Sequence, residues 1–156
     1  MALHLVRHGL AGAQRTWEGH DELRPLTPAG RRQSTALVAE LTSHPVTLVL
    51  SSRFRRCVET VEPAAAALGL PVDLHDGLAE EASVEQAWTL LEMLAIAGTE
   101  AVLCSHANVL GAVLDRAHRR GIEVVAAEWS SREACVWRIE TDTDGTICRA
   151  VLAATP

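Results

Sequence analysis

No hydrophobic stretch in this sequence approaches the ~18 residues that a membrane span requires. The start, Met-Ala-Leu-His, lacks the basic segment and long apolar core of a secretory signal, so a cytoplasmic location with no membrane partner is expected. An excess of basic residues is also missing, since 14 Lys+Arg face 20 Asp+Glu for a net charge of -6. Nucleic acids and anionic membranes call for a basic face. Neither is an expected partner, and any phosphate affinity is left to local arginines. Cys57, Cys104, Cys135 and Cys148 are widely spread and form no Cys-x-x-Cys pair. Neither a disulfide framework nor a zinc knuckle is indicated, and small buried hydrophobes is the simpler reading. No His-Glu-x-x-His or similar metal spacing occurs, and no repeat or low-complexity segment stands out. The alanine run from Ala64 to Ala67 reads as a close-packed helix face.

What is present is a 48% hydrophobic fraction over 156 residues. That suits a single globular domain spanning 1–156, which buries roughly 70% of its unfolded surface. Ala2 to Val6 is a buried strand, followed by a polar loop from Leu10 to Leu26 that is long enough to be functional. Thr27 as N-cap and Pro28 in the first turn start a helix that ends near Ser43. Val46 to Leu50 is a second strand, Arg53 to Leu68 a helix with a kink expected at Pro63, and Val72 to Leu74 a short strand. After the acidic loop from His75 to Ser83, the pattern predicts a helix from Val84 to Ile96, a buried strand from Ala101 to Cys104 and a helix from Val109 to Arg120. Ala134 to Ile139 and Thr146 to Val151 alternate and make a hairpin. Strands alternating with helices, then a hairpin, predict a three-layer α/β/α sandwich around a mostly parallel central sheet.

Three predicted strands end in polar clusters: Arg7-His8 after the first, Ser51-Ser52 with Arg56 after the second, and Ser105-His106 after the fourth. Parallel strands bring their carboxyl ends to one edge of the sheet, where ligands bind in open α/β folds. Two imidazoles and two guanidinium groups meeting there make an anion site.

Arg7-His8-Gly9 after a first strand resembles the histidine phosphatase superfamily, which also contains the phosphoglycerate mutases. Ser51-Ser52-Arg53-Phe54-Arg55-Arg56-Cys57-Val58-Glu59-Thr60 looks like that family's Ser-Ser-Pro-x-x-Arg-x-x-Gln-Thr segment, and Leu103-Cys104-Ser105-His106 like its second-histidine motif. The resemblance implies a phosphoglycerate mutase-like fold and covalent catalysis through phosphohistidine. His8 would be the neutral nucleophile, while Arg7, Arg56 and a protonated His106 would bind the phosphoryl oxygens, with no metal or cofactor. It places the proton donor before the third helix, at Glu80 in Leu78-Ala79-Glu80 with Glu81 as second choice. Asp21-x-x-Arg24-Pro25-Leu26-Thr27-x-x-Gly30 looks like the short SixA-type phosphohistidine phosphatases and their relatives, including the phosphatase domain that follows a Nudix hydrolase domain in some bacterial proteins.

The expected activity is that of a metal-independent phosphatase acting on a phosphorylated small molecule or a phosphoprotein, protein phosphohistidine included. The short interval from Arg56 to His106 leaves no room for a large lid, which favours hydrolysis. Phosphoglycerate mutase-like phosphotransfer and a non-catalytic phospho-ligand binding module are the alternatives. Gln14, Trp17 and His20 stand in the first loop as candidate substrate contacts, although Gln14 replaces the asparagine of larger members. Arg53 and Arg55 read either as positive potential at the mouth or as surface charge. Trp129-Ser130-Ser131-Arg132 has no assigned role, and Trp88, Trp129 and Trp137 read as core or half-buried. His4, His20, His44, His75 and His118 lack a comparable context, and His4, inside a strand, reads as structural.

Overall fold

The computed structural model describes residues 1–126 and 131–156, so Trp129 and Ser130 lie outside the described residues. Seven strands among these form one sheet: β1 (Ala2–Arg7), β2 (Leu48–Ser51), β3 (Val72–Leu74), β4 (Ala101–Ser105), β5 (Glu123–Val125), β6 (Val136–Thr141) and β7 (Ile147–Ala154). Their order is β3-β2-β4-β1-β6-β7-β5. The β1·β4, β2·β4, β2·β3 and β5·β7 pairings are parallel, and β6 alone runs against its neighbours. The helices are α1 (Pro28–Thr42), α2 (Arg55–Leu68), α3 (Val84–Ile96) and α4 (Ala107–Arg119).

Strand alternation sends successive side chains to opposite faces. Leu3, Leu5, Leu103, Trp137 and Ile139 therefore join Trp88 and Leu91 of α3 and Leu110 and Val113 of α4 in one core. Val6, Val49, Val102, Cys104 and Val136 join Leu37 and Leu41 of α1 and Cys57 and Val61 of α2 in another. The mostly parallel sheet thus has helices on both faces, as expected. Thr27 caps α1, its Oγ1 accepting the Gly30 N–H at 3.0 Å, and Ser83 and Gln86 form a reciprocal capping box on α3.

Several elements differ from the sequence reading: the second strand is Leu48–Ser51 and the hairpin strands are Val136–Thr141 and Ile147–Ala154, and three further differences have a clear cause. The fourth helix starts at Ala107 rather than Val109, because His106 already has extended backbone and serves as its N-cap. The second helix starts at Arg55, with Phe54 at its N-cap. Glu123–Val125, too short and too half-buried to stand out, is a strand because β7 extends far enough to pair with it.

The topology fixes where a ligand fits. From β1 the chain crosses to β2 and then β3, moving toward one sheet edge; from β3 it returns to β4 and then leaves for β5 at the other. The adjacent strands β1 and β4 thus send their following loops in opposite directions, opening a crevice at their carboxyl ends. His8 follows β1 there and His106 follows β4.

Gly30 sets how closely α1 approaches the loop after His8. A Cβ at Gly30 would lie 2.1 Å from the Leu10 carbonyl oxygen, which accepts the Thr27 N–H at 2.9 Å. Gly30→Ala should therefore destabilise the protein by about 1–3 kcal/mol in urea denaturation, despite alanine's advantage of ~1 kcal/mol within a helix. A gain in stability would contradict this packing.

Candidate active site

Parallel pairing places Arg7 opposite Ser105, and the ladder continues one step further through the His8 N–H, which donates to the Ser105 carbonyl at 3.0 Å. The two imidazoles that follow are neighbours, with ring centroids 5.4 Å apart and planes at 68°. His8 Nδ1 lies 2.7 Å from the Gly9 carbonyl oxygen. A carbonyl can only accept, so Nδ1 carries the proton and the lone pair is on Nε2. Thr60 of α2 secures this arrangement, because its Oγ1 accepts the Gly9 N–H at 2.9 Å and donates to the Arg56 carbonyl at 2.6 Å.

His8, His106, Arg7, Arg24, Arg56 and Glu80 line one cavity of about 380 Å³ at the strand tips, together with Ala107, Asn108 and Glu133. Ala107 and Asn108 open α4, so the positive end of that helix faces the cavity. Arg56, only 1% exposed, donates to the Asp21 carbonyl at 3.0 Å and to Asp21 Oδ2 at 3.1 Å, and lies 3.3 Å from Glu80 Oε2. Arg24 donates through Nε to Asp21 Oδ1 at 2.8 Å and also reaches the Gly12 carbonyl. Arg7 donates to the Ser131 carbonyl and faces Glu133 at 3.5 Å. One carboxylate, Asp21, therefore orients two guanidinium groups, and those groups hold it below the usual carboxylate range against the opposing effect of burial. Arg7 Nε, Arg56 Nε and His106 Nδ1 are buried without a hydrogen-bond partner. An anion in the cavity is the natural acceptor for such donors.

Burial pushes the His8 pKa down to about 4, a shift opposed by the Gly9 hydrogen bond and reinforced by Arg56, Arg7 and Arg24. His106 is pushed to about 3 by burial, with His8 and Arg56 adding to the shift. Burial above all, then the neighbouring His8 and Arg56, holds the His106 ring neutral without an anion, whereas the protonated His106 that the resemblance implies belongs to the phosphate-bound site. Ser52 Oγ lies 2.9 Å from His106 Nε2 and accepts the Phe54 N–H at 3.3 Å. A Ser52 hydroxyl donating to Nε2 makes His106 a donor through Nδ1–H, the nitrogen that has no partner among the described residues.

The two carboxyls before α3 separate clearly. Glu80 lines the cavity, with its carbonyl held by Asn108 Nδ2 at 2.7 Å, whereas Glu81 pairs with Arg53 and has its pKa lowered by its own backbone N–H and by that guanidinium. Arg53 also pairs with Glu22, and Arg55 with Glu59, so neither lines the cavity. Gln14 and His20 do not line it either; they bound an adjoining cavity with Asp21, Glu22, Phe54 and Glu80. Trp17 lines neither, its indole N–H donating to the His20 carbonyl at 3.0 Å. Trp88 and Trp137 are buried. Arg24, Asn108 and Glu133 line the cavity without having been singled out as site residues. For Arg24 a signal existed in the Asp21-x-x-Arg24 spacing, which one helical turn converts into an ion pair; Asn108 and Glu133 carried none.

The sequence model of the histidine phosphatase superfamily (branch 1) matches residues 3–85, just over half of the chain. The chain belongs to this superfamily. An 8-oxo-(d)GTP phosphatase of Mycolicibacterium smegmatis is 33% identical over 114 residues, which cover 71% of this chain and 35% of that protein. The chain thus spans about a third of the length of that curated relative. Among solved structures, the protein histidine phosphatase SixA complexed with tungstate aligns with a TM-score of 0.69 at 22% identity, over 99% of this chain and 95% of its own. A mycobacterial glucosyl-3-phosphoglycerate phosphatase in complex with VO3 aligns with a TM-score of 0.74 at 15% identity, over 99% and 98%. These likenesses establish the histidine phosphatase fold; the placement of His106, beyond the matched segment, rests on the strand geometry above.

In the absence of phosphate, neither His8 nor His106 should titrate between pH 8 and 5.5 when followed by nuclear magnetic resonance of the ring carbons. An unfolded histidine takes up its proton near pH 6.5, so these rings, with folded values near 4 and 3, make stability fall as the pH drops below 6.5. A midpoint near 6.5 for either ring would contradict the burial argument.

Proposed function

We propose that this protein is a metal-independent phosphatase that works through a covalent phosphohistidine on His8. The observation that carries the reading is the His8 Nδ1 contact with the Gly9 carbonyl at 2.7 Å, which leaves the lone pair on Nε2 of a ring that lines a cavity walled by three arginines. In the first step the Nε2 lone pair forms a bond to phosphorus as the bond to the leaving oxygen breaks in line. Arg7, Arg56 and the Nδ1–H of His106 take the equatorial oxygens, and Arg24 adds a third guanidinium. Phosphate entering the cavity competes with Asp21 and Glu80 for Arg56. Glu80, released from Arg56, takes up a proton brought by the phosphomonoester monoanion or by solvent, passes it to the leaving oxygen, and as a carboxylate then takes one from the water that attacks phosphorus. The phosphorus–nitrogen bond breaks in that second step, returning neutral His8 and inorganic phosphate.

Hydrolysis is favoured over internal phosphotransfer because the described residues leave the cavity open to solvent, where water reaches the phosphoenzyme. A pure binding module has no use for a nucleophile held in one tautomer. The open mouth suits a phosphomonoester or a protein phosphohistidine. The relative named for 8-oxo-(d)GTP makes a nucleoside phosphate a third class to assay.

Purified protein should release phosphate from an aryl phosphate in the presence of a metal chelator, and His8→Ala should abolish release while keeping the circular dichroism spectrum. Retained activity in that variant would remove the nucleophile. Arg56→Ala should cost on the order of 100-fold or more in kcat. Glu80→Gln should slow poor leaving groups more than activated ones, and an equal loss on both would exclude Glu80 as the acid.

A further inference from the structure

At the amino-terminal edge of the sheet, opposite the phosphate cavity, lies a second constellation that the proposed reaction does not use. His4 in β1, His44 after α1 and Glu100 just before β4 offer three ligand atoms, all within 4.8 Å of one another. They come from segments 40 and 56 residues apart along the chain, so no sequence motif announces them. We propose that His4, His44 and Glu100 form a divalent transition-metal site of the zinc type, a structural clasp joining β1, the α1–β2 connection and the start of β4.

The donor chemistry points to that class of ion. Two imidazoles and one carboxylate suit zinc-like cations, whereas calcium and magnesium take oxygen-rich shells. His4 is fully buried yet only half satisfied: Nε2 lies 3.1 Å from Glu100 Oε1, and Nδ1 has no partner. Glu100 is anchored by the Ala2 N–H at 2.9 Å, and the His4 and His44 rings lie 4.4 Å apart between centroids. Two of the three ligands are thus held rigidly. The third, His44, has a quarter of its side chain exposed and faces Glu40 at 3.6 Å, so it is the arm that moves.

Zinc bonds of about 2.0–2.2 Å in a tetrahedron place ligand atoms roughly 3.4 Å apart. A closure of ~1.4 Å, carried mostly by His44, completes the site from the 4.8 Å starting separation. A surface cavity lined by Met1, Ala2, His44 and Glu100 gives the ion a path from solvent and leaves room for a water as fourth ligand. Arg138 also lines that cavity, but Glu140 neutralises it at 3.0 Å.

The test is zinc titration of the chelator-stripped protein, by calorimetry and by Tm, on the wild type, His44→Ala and His8→Ala. The wild type should bind zinc and gain Tm, as any ligand of the folded state alone produces. His44→Ala leaves the buried His4–Glu100 pair in place and should weaken binding at least ~10-fold with loss of the Tm gain, whereas His8→Ala should retain both. Because the readouts are binding and Tm, the result is independent of whether the protein is a phosphatase. No zinc-induced Tm gain in the wild type, an undiminished one in His44→Ala, or its loss in His8→Ala would overturn the clasp.

Discussion

An imidazole acts as a nucleophile toward phosphorus only through a nitrogen that carries a lone pair and faces the substrate. In the mechanism we propose, the requirement falls on one short contact, from His8 Nδ1 to the Gly9 carbonyl. That carbonyl is where it is because Gly9 is fixed by Thr60 of α2, and because a Cβ at Gly9 would crowd the Gly30 carbonyl at 3.0 Å. The β1·β4 ladder supplies the other half of the arrangement by setting His106 next to His8. Two helices and two strands thus agree on the position of one ring.

Around that ring the difficulty is positive charge. Three guanidinium groups converge on a cavity in a protein whose net charge is -6, and each is held by a carboxylate: Arg24 and Arg56 by Asp21, Arg56 also by Glu80, Arg7 by Glu133. These pairs hold the side chains in place, since arginine left alone is long and flexible. They also offset the mutual repulsion of the three guanidinium groups. In the proposed reaction the substrate phosphate takes over the role of these carboxylates. Burial, reinforced by this crowding of positive charge, keeps both imidazoles neutral in the absence of an anion, which suits the nucleophile proposed at His8.

Most of this arrangement was legible in the sequence, for a physical reason. Buried parallel strands are short apolar runs, and each stops abruptly where the backbone meets polar chemistry, so Arg7-His8, Ser51-Ser52 and Ser105-His106 marked the strand tips before any coordinates. Arg56, rather than Arg53 or Arg55, came from the family pattern. What the sequence hid was long-range pairing. The partner of Arg7 at Glu133 and the Asn108 hold on the Glu80 carbonyl are tertiary events without periodicity, and β5 exists only because β7 reaches it. The choice of Glu80 over Glu81 needed side-chain direction, which a one-residue difference in sequence does not encode.

The most direct test is to quench the reaction within milliseconds, using substrate labelled in the phosphoryl group, and to map the bound label by peptide mass spectrometry under alkaline conditions that preserve phosphoramidates. The geometry predicts label on His8, at Nε2 of the ring. Label on His8 Nδ1, on His106, or on no residue while phosphate is still released would contradict it.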